Sequence, residues 1–237
     1  MNLPIIVTID GPAGTGKSSA ASELAMRLGF DMLDTGAMYR AVALLSIESA
    51  IDPADEAALA VAMDRSQLSV DFSSRPPAIQ LNGRNLHERI RDADVTQIVS
   101  LIASHHEVRV RLVQAQREVA AQHERLVTEG RDQGSVVFPD ATVRIWLDAR
   151  AEVRAHRRSE ELRLRGEQVD EARVLAEIIA RDASDRGRSE GPLRKPVGAD
   201  SIDTSNLAFA AVVDDLERLV RRRLHEANVG CGCGGGA

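Results

Sequence analysis

Residues 5–10 read IIVTID and run straight into GPAGTGKS, Gly11 to Ser18. Residues 17–28 follow, with Ala20, Ala21, Leu24, Ala25 and Leu28 recurring at helical spacing. A buried apolar strand, a glycine-rich loop and an amphipathic helix in that order form the first half of a βαβ unit, so the chain is expected to be α/β with a parallel sheet. The loop satisfies G-x-x-x-x-G-K-[ST] in full. Gly11, Gly14 and Gly16 place no Cβ in the way, so backbone N–H groups can converge on an anion with the free donors of the helix start. Lys17 adds a positive charge at the β and γ phosphates, and the Ser18 hydroxyl is a hard ligand suited to Mg²⁺. The expected triphosphate cradle is Gly11, Pro12, Ala13, Gly14, Thr15, Gly16, Lys17, Ser18 and Ser19.

The remaining question is where the γ-phosphate goes. At 237 residues the chain suits one α/β domain with a small insertion and leaves little room for a second. A net charge of −6 gives no general attraction to nucleic acid or an anionic bilayer, so an anion site has to be assembled locally. No apolar run is long enough to span a membrane, and MNLPIIVTID has no basic start or cleavage-like site, so a cytoplasmic protein is expected. Cys231 and Cys233 stand in GCGCGGGA, which reads as a flexible tail over 227–237.

Beyond the first helix, residues 36–47 read as a short helix, and DPADEAAL as the start of another, with Asp52 as its N-cap and Pro53 its first residue. The texture then changes: LSVDF, AIQLNG and RNL are strand-like runs broken by SSRPP, and Asn82-Gly83 is a hairpin signal. A small antiparallel insert is expected there, within 60–100. Residues 94–122 read as helix interrupted at His105-His106, an ordinary junction. Residues 126–129 and 143–147 read as central strands, 151–165 and 171–185 as charged helices joined around Gly166, 201–203 as a short strand, and 207–225 as a closing amphipathic helix. Asp148 falls at a strand end, either as a metal-side carboxylate or as a structural residue.

No guanine-reading N-K-x-D is present, and the chain is short for a motor. Arginines instead recur at loops and helix ends: Arg40, Arg109, Arg131, Arg157, Arg181 and Arg188. Arginine is suited to bidentate phosphate contacts, and bringing two anionic substrates together requires their repulsion to be cancelled.

The segments LDTGAMYR, IRDADVTQIVS, EGRDQGSVVFPDA and RDASDRGRSEGPL resemble the bacterial cytidylate kinases of the nucleoside monophosphate kinase group, from about residue 5 to about residue 224. The resemblance implies one kinase domain over 1–226. Its P-loop core would have a parallel sheet flanked by helices, with the antiparallel insert as the NMP-binding region and a short helical lid over about 150–190. It implies MgATP as donor, CMP or dCMP as acceptor, no nucleic acid or membrane partner, and a monomer. Carried over by position, Arg40, Arg131 and Arg188 would hold the acceptor phosphate. Ser100, Arg109 and Asp132 would read cytosine, with Thr35 standing for the family's Ser and keeping its hydroxyl. Asp185 and Arg181 would lie near the ribose and the transferring phosphates, making Lys17, Arg131, Arg181, Asp185 and Arg188 the expected catalytic set. Asp34 could hold a Mg²⁺ water or only cap a helix, and Arg157 could face ATP or solvent. Gln133 stands where many relatives carry Met. The competing readings are another small-molecule P-loop kinase, of shikimate or adenylate type, and a non-enzymatic nucleotide sensor.

Overall fold

A computed structural model describes residues 4–86 and 89–231. Its centre is a five-stranded, wholly parallel sheet built from β1 (Ile5–Asp10), β2 (Asp31–Asp34), β6 (Arg125–Gly130), β7 (Val143–Asp148) and β8 (Asp200–Asp203), in the order β2-β6-β1-β7-β8. β1 lies in the middle, with Val7 opposite both Val127 and Val143. Side chains alternate across each strand, so both sheet faces need cover. Val7, Ile9, Met32, Val127, Ile145 and Leu147 pack under α1 (Lys17–Leu28) and α8 (Phe209–Cys231). Ile6, Leu33 and Leu126 pack on the opposite side, under α2 (Thr35–Glu48), α4 (Ala93–Ile102) and α5 (His106–Ala121).

Between α2 and α5 the chain inserts α3 (Glu56–Asp64) and a three-stranded antiparallel sheet, β3 (Leu68–Asp71), β4 (Ala78–Leu81) and β5 (Arg84–Asn85). The β4–β5 hairpin turns at Asn82 and Gly83, with φ of 52° and 75°, the left-handed pair that a two-residue loop requires. The insert shares its apolar packing with α2, α4 and α5 through Ile79, Leu81 and Leu86. After β7, α6 (Ala151–Leu164) and α7 (Glu171–Gly187) form a helical pair with a small apolar seam of Ala155, Val174 and Ile178.

Two sequence expectations shift, and one strand, β2, was not anticipated. Asp55, not Asp52, caps α3, accepting the N–H of Ala58; Asp52 instead caps the preceding turn through Ala54 N–H. β2 has no strand-like signature, because its two apolar residues are flanked by Asp31 and Asp34. The last helix continues to Cys231, past the expected boundary at 226, and Cys233 lies outside the described residues. No helix among the described residues is long and apolar enough to cross a membrane.

Candidate active site

All five strands of the parallel sheet point the same way, so the loops after their carboxyl ends gather along one edge, where open α/β sheets bind ligands. The glycine-rich loop leaves β1 there. Gly11 has to be glycine: a Cβ would lie 2.0 Å from the Leu147 carbonyl oxygen on β7. Gly14 and Gly16 take φ of 77° and 87°. Thr15 Oγ1 donates to the Pro12 carbonyl, and Lys17 Nζ donates to the same oxygen at 2.7 Å. Burial, and then the charge of Arg131, pull the Lys17 ammonium well below its usual pKa. Ser19 faces outward.

Ser18 Oγ donates to Glu129 Oε1 at 2.7 Å, from the first turn of α1 to the end of β6. Burial, reinforced by Asp34, holds the Glu129 carboxyl well above the carboxylate range. Asp34 also caps α2, accepting Ala37 N–H at 2.8 Å, so its two sequence readings are compatible. Ser18, Asp34 and Glu129 are a hard-oxygen set in which two carboxylates repel each other at the phosphate loop. Mg²⁺ takes one or two carboxylates and keeps its remaining sites for water and phosphate, so these residues fit it. Among the described residues no cluster of three or more His, Cys, Asp or Glu could cage a metal unaided.

Immediately after Glu129 the chain enters the segment expected to hold the acceptor. Thr35 Oγ1 donates to the Glu129 carbonyl at 2.7 Å. Arg131 Nε donates to Asp185 Oδ2 at 2.9 Å, and Arg188 pairs with Asp185 Oδ1. Arg188 also reaches the backbone carbonyl of Ser100 at 3.5 Å. Arg40, Arg131 and Arg188 all sit close enough to Arg181 to disfavour its charge. Burial, then Arg131, push the Arg181 guanidinium down to about 10, and burial lowers Arg188 too. Nε of Arg181 and Nε of Arg188 are buried and make no hydrogen bond. Buried donors without acceptors are costly, and a concentration of them is what a phosphate would relieve.

Beside this cluster, Asp132 is buried and its Oδ2 pairs with Arg109, whose other arm donates to Tyr39 Oη at 3.2 Å. Gly191, just after α7, lies over that pair: a Cβ would fall 2.1 Å from Arg109 Nη2. Expected donor and acceptor residues thus meet along β6, with Ser18 on Glu129 and Arg131 and Asp132 directly following.

Arg157 does not join them. It donates to Thr204 Oγ1 at 3.0 Å and to the Thr204 carbonyl at 2.6 Å, tying α6 to the loop after β8. The arginine that reaches the phosphate loop is Arg154, which sequence reading passes over. It is buried and donates to the carbonyls of Ala149 and Ala13 and, at 2.7 Å, to Asp182. Its signal was faint: one turn of a charged helix holds three arginines, and only packing distinguishes them. Glu129 and Asp10 were also missed, although each directly precedes a motif glycine at a strand end. Asp148 accepts from Trp146 Nε1 at 3.3 Å and from Ala149 N–H at 2.9 Å.

Residues 7–222 match the family model described as cytidylate kinase. A cytidylate kinase of Mycobacterium avium is 45% identical over 94% of this chain and 98% of its own. That of Nocardia farcinica is 42% identical over 93% and 95%. That of Caldanaerobacter subterraneus is 41% identical over 94% and 97%. Among solved structures, a gluconokinase from Sinorhizobium meliloti superposes with a TM-score of 0.53 at 14% identity, covering 97% of this chain and 99% of that one, a likeness of fold.

Proposed function

Since the chain belongs to the cytidylate kinase family, we propose that it transfers the γ-phosphoryl group of MgATP to CMP or dCMP, giving ADP and CDP or dCDP. The observation that carries the residue-level reading is the continuity of β6 with both halves of the site. Ser18 and Lys17 lie on the donor side of Glu129, and Arg131 and Asp132 begin the acceptor side two residues later.

No general base is needed, because the attacking atom is a phosphate oxygen that is already anionic. The protein's task is to hold two polyanions in line and out of water. The N–H groups of the loop and Lys17 take the β and γ phosphates. Mg²⁺, when bound at Ser18, Asp34 and Glu129, neutralises charge on the donor phosphates. Arg40, Arg131 and Arg188 receive the acceptor phosphate, and Arg181 supplies charge where the group passes between them. Asp185 accepts from Arg131 and Arg188 through separate oxygens, so it sets the spacing of the two cations. Asp132, steadied by Arg109, accepts from the exocyclic amine of cytosine; uracil presents a carbonyl there and is repelled. Ser100 and Thr35 complete the acceptor pocket, and α6 with α7 act as the lid of a cytoplasmic, monomeric enzyme.

The purified protein with MgATP should phosphorylate CMP or dCMP in a coupled ADP-release assay. Asp132→Asn should lower the kcat/KM ratio of CMP over UMP by about tenfold or more, with KM for ATP little changed. Lys17→Ala should cripple turnover with either acceptor. Phosphorylation of AMP or shikimate with CMP and dCMP untouched would defeat the assignment.

A further inference from the structure

We propose that Asp10 is a positioning residue: the β1 carboxylate that locks the acceptor-reading turn to the phosphate loop. This rests on the acceptor assignment above. Asp10 is the last residue of β1, and Gly11 follows it directly. Its side chain is fully buried. Oδ1 accepts the backbone N–H of Gln133 and Oδ2 that of Gly134, both at 2.7 Å. Those two N–H groups open a π-helical turn, Gln133–Val137, that begins straight after Arg131 and Asp132. One carboxylate therefore joins the strand that launches the donor loop to the backbone that presents the acceptor arginine and aspartate.

The turn has little freedom to move off this contact. A Cβ on Gly134 would meet Thr8 Oγ1 at 2.7 Å and Arg144 and Pro196 at 3.1 Å, so the turn is pressed against β1. The Gln133 side chain is gripped from the other side. Its Oε1 accepts Thr128 Oγ1 at 2.9 Å, and its Nε2 donates to Gln116 Oε1 at 3.1 Å. Gln133 thus serves as a buried polar anchor for the same turn.

Aspartate is the short side chain that offers two acceptors to two successive N–H groups. Asparagine would direct an amide N–H against one of them, and serine would reach only one. Burial pushes the Asp10 carboxyl up to about 7.

The test uses the full chain and begins with wild-type turnover of CMP, whose absence would overturn the assignment that Asp10 serves. With that activity present, Asp10→Asn should raise KM for CMP about tenfold or more and erode the CMP-to-UMP ratio of kcat/KM. The dissociation constant of a non-hydrolysable ATP analogue should move less than about twofold. Gly134→Ala pushes the same turn from the Thr8 side and should give the same split if Asp10→Asn does not fold. Unchanged CMP kinetics in either folded variant, or an equal loss toward both acceptors, would overturn the proposal. So would unfolding of both variants, which would make the contact structural only.

Discussion

At the scale of single residues, the phosphate edge places like charges together and withholds water from them. Glu129 is buried against Asp34 on one side, while Lys17, Arg131 and Arg181 crowd one another on the other. Such an arrangement opposes folding and becomes favourable when a polyanion and its cation arrive, a common bargain at functional sites. Glu129→Gln separates the two effects. The amide oxygen can still accept from Ser18, while the new N–H₂ can donate to Asp34 and remove the repulsion. Without nucleotide, this variant should melt about 2–4 °C higher than the wild type, an increment equivalent to about 1 kcal/mol in a chain of this size. Its activity should fall about 10- to 100-fold at limiting Mg²⁺, as expected for loss of a carboxylate that orients a metal's water. Thermal melting together with a Mg²⁺ titration of turnover reads both. A lower melting temperature with an unchanged Mg²⁺ requirement would remove Glu129 from the metal side.

At the scale of elements, α6 is fastened to the phosphate loop by one side chain. Arg154 donates to the Ala13 carbonyl and pairs with Asp182 on α7, with both charges buried. Truncating one partner strands the other, so Arg154→Ala should destabilise the protein by about 3–5 kcal/mol in urea unfolding and raise KM for ATP. Replacing both residues, as Arg154→Met with Asp182→Leu, should recover much of the stability but not the ATP affinity, because the Ala13 carbonyl remains unheld. Equal ATP affinity in all three proteins would leave Arg154 a stability residue alone. What the sequence could disclose follows from the same distinction. Strands β1 and β6 were legible because burial writes them largely as apolar runs, β7 because Val143, Ile145 and Leu147 alternate with half-buried residues, and the hairpin because Asn82-Gly83 must take positive φ. β2 was not, since its short edge carries Asp34, which serves α2 and the site rather than the sheet. The phosphate loop was legible because its glycines are demanded by local backbone geometry. Arg154 and Asp10 were not, because their importance lies in partners on α7 and after β6, remote in sequence and adjacent only once folded.

For the whole molecule, the α6–α7 pair touches both halves of the site. Its entry helix holds the phosphate loop through Arg154, and its exit loop crosses to the proposed acceptor end. There Glu190 meets His106 at the start of α5 at 2.6 Å, Leu193 N–H closes on the Asp185 carbonyl at 2.8 Å, and Gly191 lies over the Arg109–Asp132 pair. The His106–Glu190 pair is solvent-exposed, so it contributes within about 1 kcal/mol and cannot by itself hold the loop shut. The tight approach is at Gly191, where φ is 57° and a Cβ would overlap both Arg109 Nη2 and Asp132 Oδ2. An alanine there must either displace the pair or lift the loop from it. Gly191→Ala should therefore weaken CMP binding and its discrimination from UMP by about tenfold, with ATP-analogue affinity unchanged. His106→Gln, which removes only the surface contact, should alter neither by more than about fivefold. If Gly191→Ala binds CMP as the wild type does, the loop is not a wall of the acceptor pocket. If it weakens both nucleotides equally, the two ends of the helical pair move as one rigid piece, and donor and acceptor affinity are coupled through it.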